Sequence, residues 1–131
     1  MAVAGDMSKK QLYEELIEAI ASGWEKGDEK KIADAFTEAG IFYPAPFDGP
    51  LRGRDAIRGY WKDVPREQAE ISFKSGEIFI AGPWFATEFR CTFRRRRTGE
   101  RMDVRGSLFC ETEGELLSEV RMYWHRATAA S

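Results

Sequence analysis

The periodicity of apolar residues changes once along this 131-residue chain, near Ala69. Before that point apolar residues recur every three to four positions, as in amphipathic helices, and after it they alternate with polar residues, as in strands. Four long alternating segments follow, separated by a break at Pro83 and by turns at Thr98-Gly99 and Glu113-Gly114-Glu115. Helices followed by strands with short connections predict an α+β domain, in which three N-terminal helices pack on a mostly antiparallel sheet.

The first part of the chain carries signals for two helices. The tetrapeptide from Ser8 to Gln11 has the spacing of a capping box. Apolar residues then repeat at every fourth position from Leu12 to Trp24, which predicts a helix with one apolar face that ends at Gly27. Asp28 is placed to cap a second, short helix from Glu29 to Phe36.

A loop rich in proline and glycine follows, with many apolar residues on both sides of it. A strand from Ile41 to Tyr43 is confined to an edge or an end of the sheet by Pro44 and Pro46. A third helix begins at Gly53 and ends near Pro65. Aromatic residues beside such a loop indicate either the mouth of a small-molecule pocket or a plain core seam.

The composition is that of a single globular domain. A chain of 131 residues can bury a core without disulfide or metal support, and we expect one domain, 1–131, ordered from about 8 to 126 and frayed at both ends. The net charge of −2 and the pI near 5.6 give no general attraction to nucleic acid or acidic lipid. The sequence has neither an apolar run of membrane-spanning length nor the apolar segment of a secretion signal.

Cysteine and histidine are too few for a disulfide framework or a His-based metal centre. Cys91 and Cys110 fit no C-x-x-C spacing, and His125 is the only imidazole in the chain. We therefore expect a cytoplasmic protein in a reducing setting, with no metal and no cofactor.

Alternation assigns the side chains of the long strands to two faces. The face expected to meet the helices is mainly apolar and carries Phe85, Thr87, Phe89, Cys91, Phe93, Met102, Val104, Gly106, Leu108, Cys110, Val120, Met122 and Trp124. The opposite face carries both signs of charge and three aromatics: Trp84, Glu88, Arg90, Asp103, Arg105, Phe109, Glu111, Glu119, Arg121 and Tyr123. Such a face favours a homodimer held by ion pairs and aromatics, with a solvated face as the alternative. The turn at Thr98-Gly99 places Cys91 near Val104, so the two cysteines cannot pair.

The order of these elements resembles the SnoaL-like branch of the nuclear-transport-factor-2-like superfamily. The resemblance is carried by Gly27-Asp28, by the segment from Gly53 to Ile57, and by the ending GELLSEVRMYWH, with His125 where Asp is usual. It spans about Leu12 to Arg126 and implies helices packed on a curved sheet that forms a cone with an internal cavity. It also implies a small-molecule function: a cyclase, isomerase or dehydratase acting on a hydrophobic carbonyl compound, or a non-catalytic binder of an apolar ligand or dimeric scaffold.

Ketosteroid isomerases, one enzyme group of this superfamily, use an Asp base with a Tyr and a protonated Asp as oxyanion donors. The matching positions hold Pro44 in place of the base and Ile20 in place of the Tyr. Gly106 or Ser107 replaces the second Asp. We therefore do not expect this activity.

Limonene epoxide hydrolases, a second group, use an Asp-Arg-Asp set around a water molecule. The matching positions hold Phe89, Cys91 and Met122, so the charges are replaced by apolar groups. Tyr43 falls where these enzymes have a water-holding Tyr. This activity is not expected either.

Within the implied cone we expect a ligand pocket whose mouth is bordered by the strand at Tyr43 and the loop before Gly53. Gly106 would leave room beneath Phe89 and Trp124, although ordinary core packing is the alternative. The expected pocket residues are Trp24, Tyr43, Tyr60, Trp61, Phe89, Cys91, Gly106, Met122 and Trp124.

Few residues are candidates for chemistry. Tyr43 could polarise a ligand carbonyl, and Asp48 could act as a base if its loop folds inward, although an Asp before Gly-Pro is often a simple turn residue. His125 is expected on the outer face of the sheet, where a triad with Ser107 and Asp103 would have no pocket to serve. The run from Arg94 to Arg97 is expected to be a solvated hairpin tip, with phosphate or nucleic-acid contact as the alternative.

Overall fold

The computed structural model describes residues 8–128, which fold into three α-helices packed on one face of a seven-stranded sheet. The helices are α1 (Lys9–Lys26), α2 (Glu29–Asp34) and α3 (Arg54–Asp63), the last continued by a 3₁₀ turn (Val64–Glu67). The strands are β1 (Phe36–Tyr43), β2 (Leu51–Arg52), β3 (Gln68–Ser75), β4 (Phe79–Ala81), β5 (Trp84–Arg95), β6 (Arg101–Glu113) and β7 (Leu116–Thr128). The α+β architecture expected from the change of period is confirmed.

The ends of the chain differ from the expected limits in one respect. The expected frayed segments at 1–7 and 129–131 lie outside the described residues. Ala127 and Thr128 were also expected to be frayed, but they form the last two residues of β7 and pair with Asp103 and Met102.

The capping signals of the first two helices are confirmed. The Ser8 hydroxyl accepts a hydrogen bond from the Gln11 backbone N–H at 3.1 Å, and α1 ends at Gly27 with a left-handed φ of 67°. The Asp28 carboxylate accepts from the Lys31 N–H at 3.1 Å and so begins α2.

The second helix is shorter than expected. It ends at Asp34, and Phe36, which was assigned to the helix, is instead the first residue of β1. The Ala35 carbonyl accepts the N–H of Leu117 at 2.8 Å, and Phe36 pairs with Leu117. Pairing with β7 therefore ends the helix before Phe36.

The strands are ordered β2-β1-β7-β6-β5-β3, and β4 pairs with β5. Neighbouring strands are antiparallel except for β1 and β7, which run parallel. The segment from Ile41 to Tyr43 is not at the edge of the sheet, because β2 pairs with the edge of β1 that faces away from β7. Pro44 follows the last residue of β1, which agrees with the alternative that the prolines mark a strand end.

The alternation expected for β5, β6 and β7 is observed. Residues of the inner face are buried or half-buried, and Tyr13 of α1 stacks on Phe85 with a centroid distance of 4.2 Å. Cys91 pairs in register with Val104, whereas Cys110 lies opposite Phe85, so both thiols are free and buried, as predicted.

Candidate functional site

Aromatic side chains from both sides of the Pro/Gly-rich loop meet where α1 and α3 cross the sheet. The Trp61 ring lies 5.0 Å from Trp24, 5.7 Å from Phe42 and 5.2 Å from Tyr60, measured between centroids. Phe42 and Trp61 are buried, whereas Phe47, within the loop, is fully exposed. The aromatics flanking the loop therefore form a packed wall, and the loop itself remains at the surface.

A cavity of about 150 Å³ opens beside this wall, between the helices and the inner face of the sheet. We call it the inner cavity. It is lined by Trp24, Tyr60, Trp61, Val64, Gln68, Phe93, Val104, Met122, Trp124 and Arg126. Ten residues from α1, α3, the 3₁₀ turn and four strands thus enclose a volume comparable to an engineered cavity that accommodates benzene.

The residues expected to form one pocket lie in four places. Trp24, Tyr60, Trp61, Met122 and Trp124 line the inner cavity together. The other four do not line it and are described next.

Phe89 and Cys91 belong to the packed core below the inner cavity. Phe89 stacks on Phe73 with a centroid distance of 5.4 Å and an interplanar angle of 7°, and Cys91 has no exposed surface. Burial raises the pKa of the Cys91 thiol to about 12, with a further contribution from the negative charge of Glu25. The thiol is therefore neutral at physiological pH and behaves as a small apolar side chain.

Tyr43 lies at a separate groove of about 240 Å³, formed with Ala45, Pro46, Arg121, Met122 and Tyr123. The Arg121 guanidinium stands over the Tyr43 ring, 5.5 Å from its centroid. Of the groove residues, only Met122 also lines the inner cavity. Tyr43 thus stands on a neighbouring groove and does not contribute to the wall of the inner cavity.

At Gly106 the backbones of β6 and β7 come close together. A Cβ atom at this position would lie 1.9 Å from the Tyr123 carbonyl oxygen and 2.7 Å from the Trp124 Cα. In the direction of a Cβ atom, the space beside Gly106 is therefore filled by the backbone of β7. This strand contact accounts for the glycine, because only a residue without a side chain permits it, and the pocket role expected for Gly106 stays a prediction.

Three tryptophans line the inner cavity, and their indole N–H groups differ in hydrogen bonding. Trp24 Nε1 donates to Gln68 Oε1 at 2.8 Å, and Trp124 Nε1 donates to the Pro44 carbonyl at 2.7 Å. Trp61 Nε1 is buried and has no hydrogen-bond partner among residues 8–128. A buried, unpaired donor costs about 1–3 kcal/mol, so Trp61 Nε1 is a natural partner for a ligand acceptor. The sequence identified the Trp but carries no signal that its N–H is unpaired.

Tyr60 and Arg126 are the ionisable residues among those lining the inner cavity. Burial, together with a smaller effect of the negative charge of Asp48, raises the pKa of Tyr60 to about 12. At neutral pH the Tyr60 phenol is therefore protonated and can donate a hydrogen bond. Asp48 itself is exposed in a turn, with its N–H donating to the Ala45 carbonyl at 3.2 Å. The described lining of the inner cavity contains hydrogen-bond donors and one fixed positive charge, but neither a carboxylate nor an imidazole.

A larger opening of about 500 Å³ adjoins the inner cavity; we call it the mouth groove. It is lined by Glu67, Gln68, Phe93, Arg95, Arg97, Thr98 and Arg126. Gln68, Phe93 and Arg126 line both spaces, which places the groove directly at the open end of the cavity. Two residues of the arginine run, Arg95 and Arg97, thus border a concave site. The sequence favoured a solvated hairpin tip for them and gave no sign of a concave site.

The outer face of the sheet is charged and partly aromatic, as expected from alternation. Asp103 accepts hydrogen bonds from Arg105 and Arg90, which lower the pKa of its carboxyl to about 2. Phe109 and Tyr123 are 44% and 41% exposed and meet edge to face at 5.7 Å.

His125 lies exposed on the same outer face, opposite Arg105 and close to the end of β7. Ser107 pairs in register with Tyr123 on this face, and Asp103 is held by its two arginines. These residues do not line the inner cavity. Within residues 8–128, no three His, Cys, Asp or Glu side chains come together in a way that could hold a metal ion.

Three helices lie across one face of a mostly antiparallel sheet, with a small cavity between the two layers, which is the α+β architecture that the resemblance implied. The sequence model of the SnoaL-like domain matches residues 17–120. The chain therefore belongs to the SnoaL-like domain family.

Solved structures show the same fold at low sequence identity. A Bacillus subtilis protein provisionally named an isomerase has a TM-score of 0.81 and 20% identity, over 91% of this chain and 90% of that chain. The epoxide hydrolase/cyclase-like enzyme SalBIII, described in pyran ring formation in the polyether salinomycin, has a TM-score of 0.79 and 18% identity, over 94% and 100% of the two chains. The Mycobacterium tuberculosis protein RV0760c, in complex with estradiol-17beta-hemisuccinate, has a TM-score of 0.76 and 11% identity, over 88% and 98%. No curated protein matches the sequence significantly.

In the described part of the chain, no helix combines the length and the apolar character needed to cross a bilayer.

Proposed function

We propose that this protein binds a small, mainly apolar molecule in the inner cavity and holds it by packing and hydrogen bonding, without acting on it chemically. The observation that carries the proposal is the lining of the inner cavity. Seven of its ten residues are apolar or tryptophan side chains, and the polar groups of Tyr60, Gln68 and Arg126 include no proton acceptor of the kind that an isomerase or cyclase needs. The steroid ester bound by RV0760c, which has the same fold, supports the ligand class.

The size of the cavity sets the size of the ligand. About 150 Å³ accommodates one six-membered ring. Six ring carbons at about 0.8 kcal/mol each give roughly 5 kcal/mol, which corresponds to a Kd of about 0.2 mM before any polar contact. A larger molecule would place one ring in the inner cavity and extend into the mouth groove.

The unpaired N–H of Trp61 defines the polar part of the ligand. An acceptor such as a ketone oxygen would gain a hydrogen bond that the protein cannot form by itself. The carboxamide of Gln68 offers a second donor. Since the indole N–H of Trp24 can only donate, the Gln68 atom that it contacts is the oxygen, and the NH₂ group remains available.

The test compares acetophenone with ethylbenzene, which has the same phenyl ring and two-carbon chain but lacks the carbonyl oxygen, by calorimetry and ligand-observed NMR. We expect acetophenone to bind more tightly, and we expect Trp61→Phe to weaken acetophenone about 3- to 10-fold while leaving ethylbenzene nearly unchanged. Trp84→Phe, on the outer face, is the matched control and should affect neither compound. If neither compound binds at millimolar concentration, the proposal fails. Equal losses for both compounds in Trp61→Phe would show that only packing was disturbed.

A second candidate function is catalysis on a hydrophobic carbonyl compound by isomerisation, cyclisation or dehydration. The observation in its favour is that Asp48 lies close enough to Tyr60 for its charge to raise the pKa of the phenol. Inward movement of the loop would then bring a carboxylate base to a cavity whose Tyr60 and Trp61 can donate to a carbonyl oxygen. Deuterium exchange at the α-carbon of acetophenone, catalysed by the wild type and lost in Asp48→Asn, would favour this function over simple binding.

We also propose that the protein is a homodimer through the outer face of the sheet. Exposed Phe109 and Tyr123 form an aromatic pair there, and Arg121 stands over the Trp84 ring at 5.6 Å. Paired aromatics among alternating charges suit a self-complementary contact between two copies. The cytoplasmic location expected from the sequence stays a prediction.

A further inference from the structure

The inner rows of two long strands each carry an arginine at the open end of the cavity. On β5, Arg95 follows Phe93 on the inner face, and on β7, Arg126 follows Trp124 on the same face. Val104 of the intervening strand pairs in register with Arg126, so the positive end of the row directly adjoins the apolar lining. The sheet therefore changes from apolar to cationic within one alternation step.

The arginines of this hairpin divide into two groups by their partners. Arg94 and Arg101 both bond to Glu70, at 2.6 and 3.1 Å, and Arg96 donates to the Gln68 carbonyl at 3.1 Å. None of these three lines the mouth groove. Their charges are thus largely occupied within the protein.

The arginines that line the mouth groove are either paired loosely, as Arg95 is, or have no carboxylate partner among the described residues. The nearest carboxylate to Arg95 is that of Glu100 at 3.9 Å, and the Arg95 Nε is buried without a hydrogen-bond partner among the described residues. Within residues 8–128, Arg97 and Arg126 have no carboxylate at salt-bridge distance. Glu67 is the one carboxylate on the groove, so the three guanidinium groups leave an excess of positive charge. A solvated charge run would not leave a buried guanidinium N–H unpaired beside a cavity.

We propose that the natural ligand is an amphipathic monocarboxylate: one apolar ring occupies the inner cavity, and a carboxylate on a short linker binds Arg95, Arg97 and Arg126 in the mouth groove. This inference rests on the proposed binding function and specifies the ligand class. A carboxylate presents two planar oxygens, which match the fork of N–H donors on a guanidinium group. The Arg95 Nε would gain the partner that it lacks.

The magnitude of the preference follows from the exposure of the groove. Hydrogen bonds to charged groups are stronger than neutral ones, but the groove is open and its charges are screened by salt. We expect a carboxylate to bind about 10-fold more tightly than the corresponding amide at low ionic strength, and this preference to fall as salt is added.

The experiment uses a series of phenyl-substituted acids with increasing linker length, from benzoate through phenylacetate and 3-phenylpropionate to 4-phenylbutyrate, each beside its own primary amide. Calorimetry on the full chain gives the affinity of every acid and amide. We expect the acid to exceed its amide about 10-fold at one preferred linker length. Arg126→Gln and Arg97→Gln should each reduce acid binding about 3- to 10-fold and leave amide binding within about 2-fold.

The control variant is Arg52→Gln, since Arg52 is exposed on β2 and lines neither space. Arg97 lies in an exposed turn, so its substitution should not impair folding, and thermal melts of all variants check this. Equal affinities for acid and amide at every linker length would overturn the inference while the binding function stands. An equal loss of acid affinity in Arg52→Gln would also overturn the inference, because it would show that only the net charge of the protein matters. If neither acids nor amides bind, the proposed function itself fails.

Discussion

Replacing Gly106 with Ala tests the close contact between β6 and β7. The added Cβ would lie 1.9 Å from the Tyr123 carbonyl oxygen, whereas real Cβ contacts are essentially never shorter than 3.0 Å. Both near atoms, this oxygen and the Trp124 Cα, belong to the backbone of β7, so no side-chain rotation can relieve the clash. The strands β6 and β7 must separate locally by about an ångström, the difference between those two distances.

The cost has two parts. Stretching the ladder by that amount removes about two backbone hydrogen bonds, at about 1 kcal/mol each, and the remaining strain of an overpacked site costs about 1–3 kcal/mol. We therefore expect Gly106→Ala to lower the free energy of unfolding by roughly 3–5 kcal/mol, and the Tm by at least about 10 °C. This is a large share of the total stability of an ordinary domain, about 5–15 kcal/mol.

The same chemical change elsewhere in the chain provides a matched control. Gly59 lies in the exposed middle of α3, and a Cβ there would meet no atom within 4 Å. Gly59→Ala should therefore stabilise the protein by about 0.5–1 kcal/mol, since Ala is the better helix former. Urea unfolding followed by tryptophan fluorescence gives both values. A Gly106→Ala protein as stable as the wild type would refute the close approach of β6 and β7 and restore a void at this position.

Two further predictions concern the cysteines and the outer face. Burial raises the pKa of both thiols, so Cys91 and Cys110 should resist alkylation by iodoacetamide at about pH 8 in the native protein and react in concentrated urea; native labelling of either, detected by mass spectrometry, would contradict their burial. Light scattering at micromolar concentration should give the mass of a dimer for the wild type and of a monomer for Tyr123→Asp, whose new charge would be desolvated in the interface. A monomeric wild type would remove the predicted dimer.

Much of the fold could be predicted because its signals are local. The cap at Ser8, the stop at Gly27 and the turn at Thr98-Gly99 each act over a few residues, and the turn alone sets Cys91 opposite Val104. Phe36 shows where local signals fail. Its conformation is decided by pairing with Leu117, a residue far along the chain that no helical or strand period can indicate.

The two-residue strand β2 and the parallel pairing of β1 with β7 were missed for related reasons. Leu51 and Arg52 are too short a segment to show alternation, and yet they cover the outer side of β1. The direction of β1 relative to β7 depends on the path of the chain through all the strands between them in sequence. Neither feature leaves a periodic trace in the sequence.

The site could be predicted only in part, because alternation assigns a face but not a depth. Phe89 and Phe93 share the inner face of β5, but Phe93 lines the inner cavity while Phe89 stacks on Phe73 in the core. The depth depends on where α1 and α3 cross the sheet, which follows from packing in three dimensions. For the same reason, the sequence could not show that Arg95 ends the inner row beside a cavity.

The positions that correspond to the catalytic residues of the isomerases and hydrolases have structural roles in this chain. Pro44, at the position that resemblance assigns to the isomerase base, is buried, and its carbonyl accepts the Trp124 indole N–H at 2.7 Å. That position therefore anchors a wall of the inner cavity. Cys91, at one of the hydrolase positions, has no exposed surface, so a carboxylate there would be a buried charge without a partner, at a cost of several kcal/mol. Restoring one charged residue, as in Cys91→Asp, would thus destabilise the core without creating a reactive site. Among the described residues that line the inner cavity and the mouth groove, the polar groups that we propose for ligand contact belong to Trp61, Tyr60, Gln68 and the arginines, and all of them can donate hydrogen bonds.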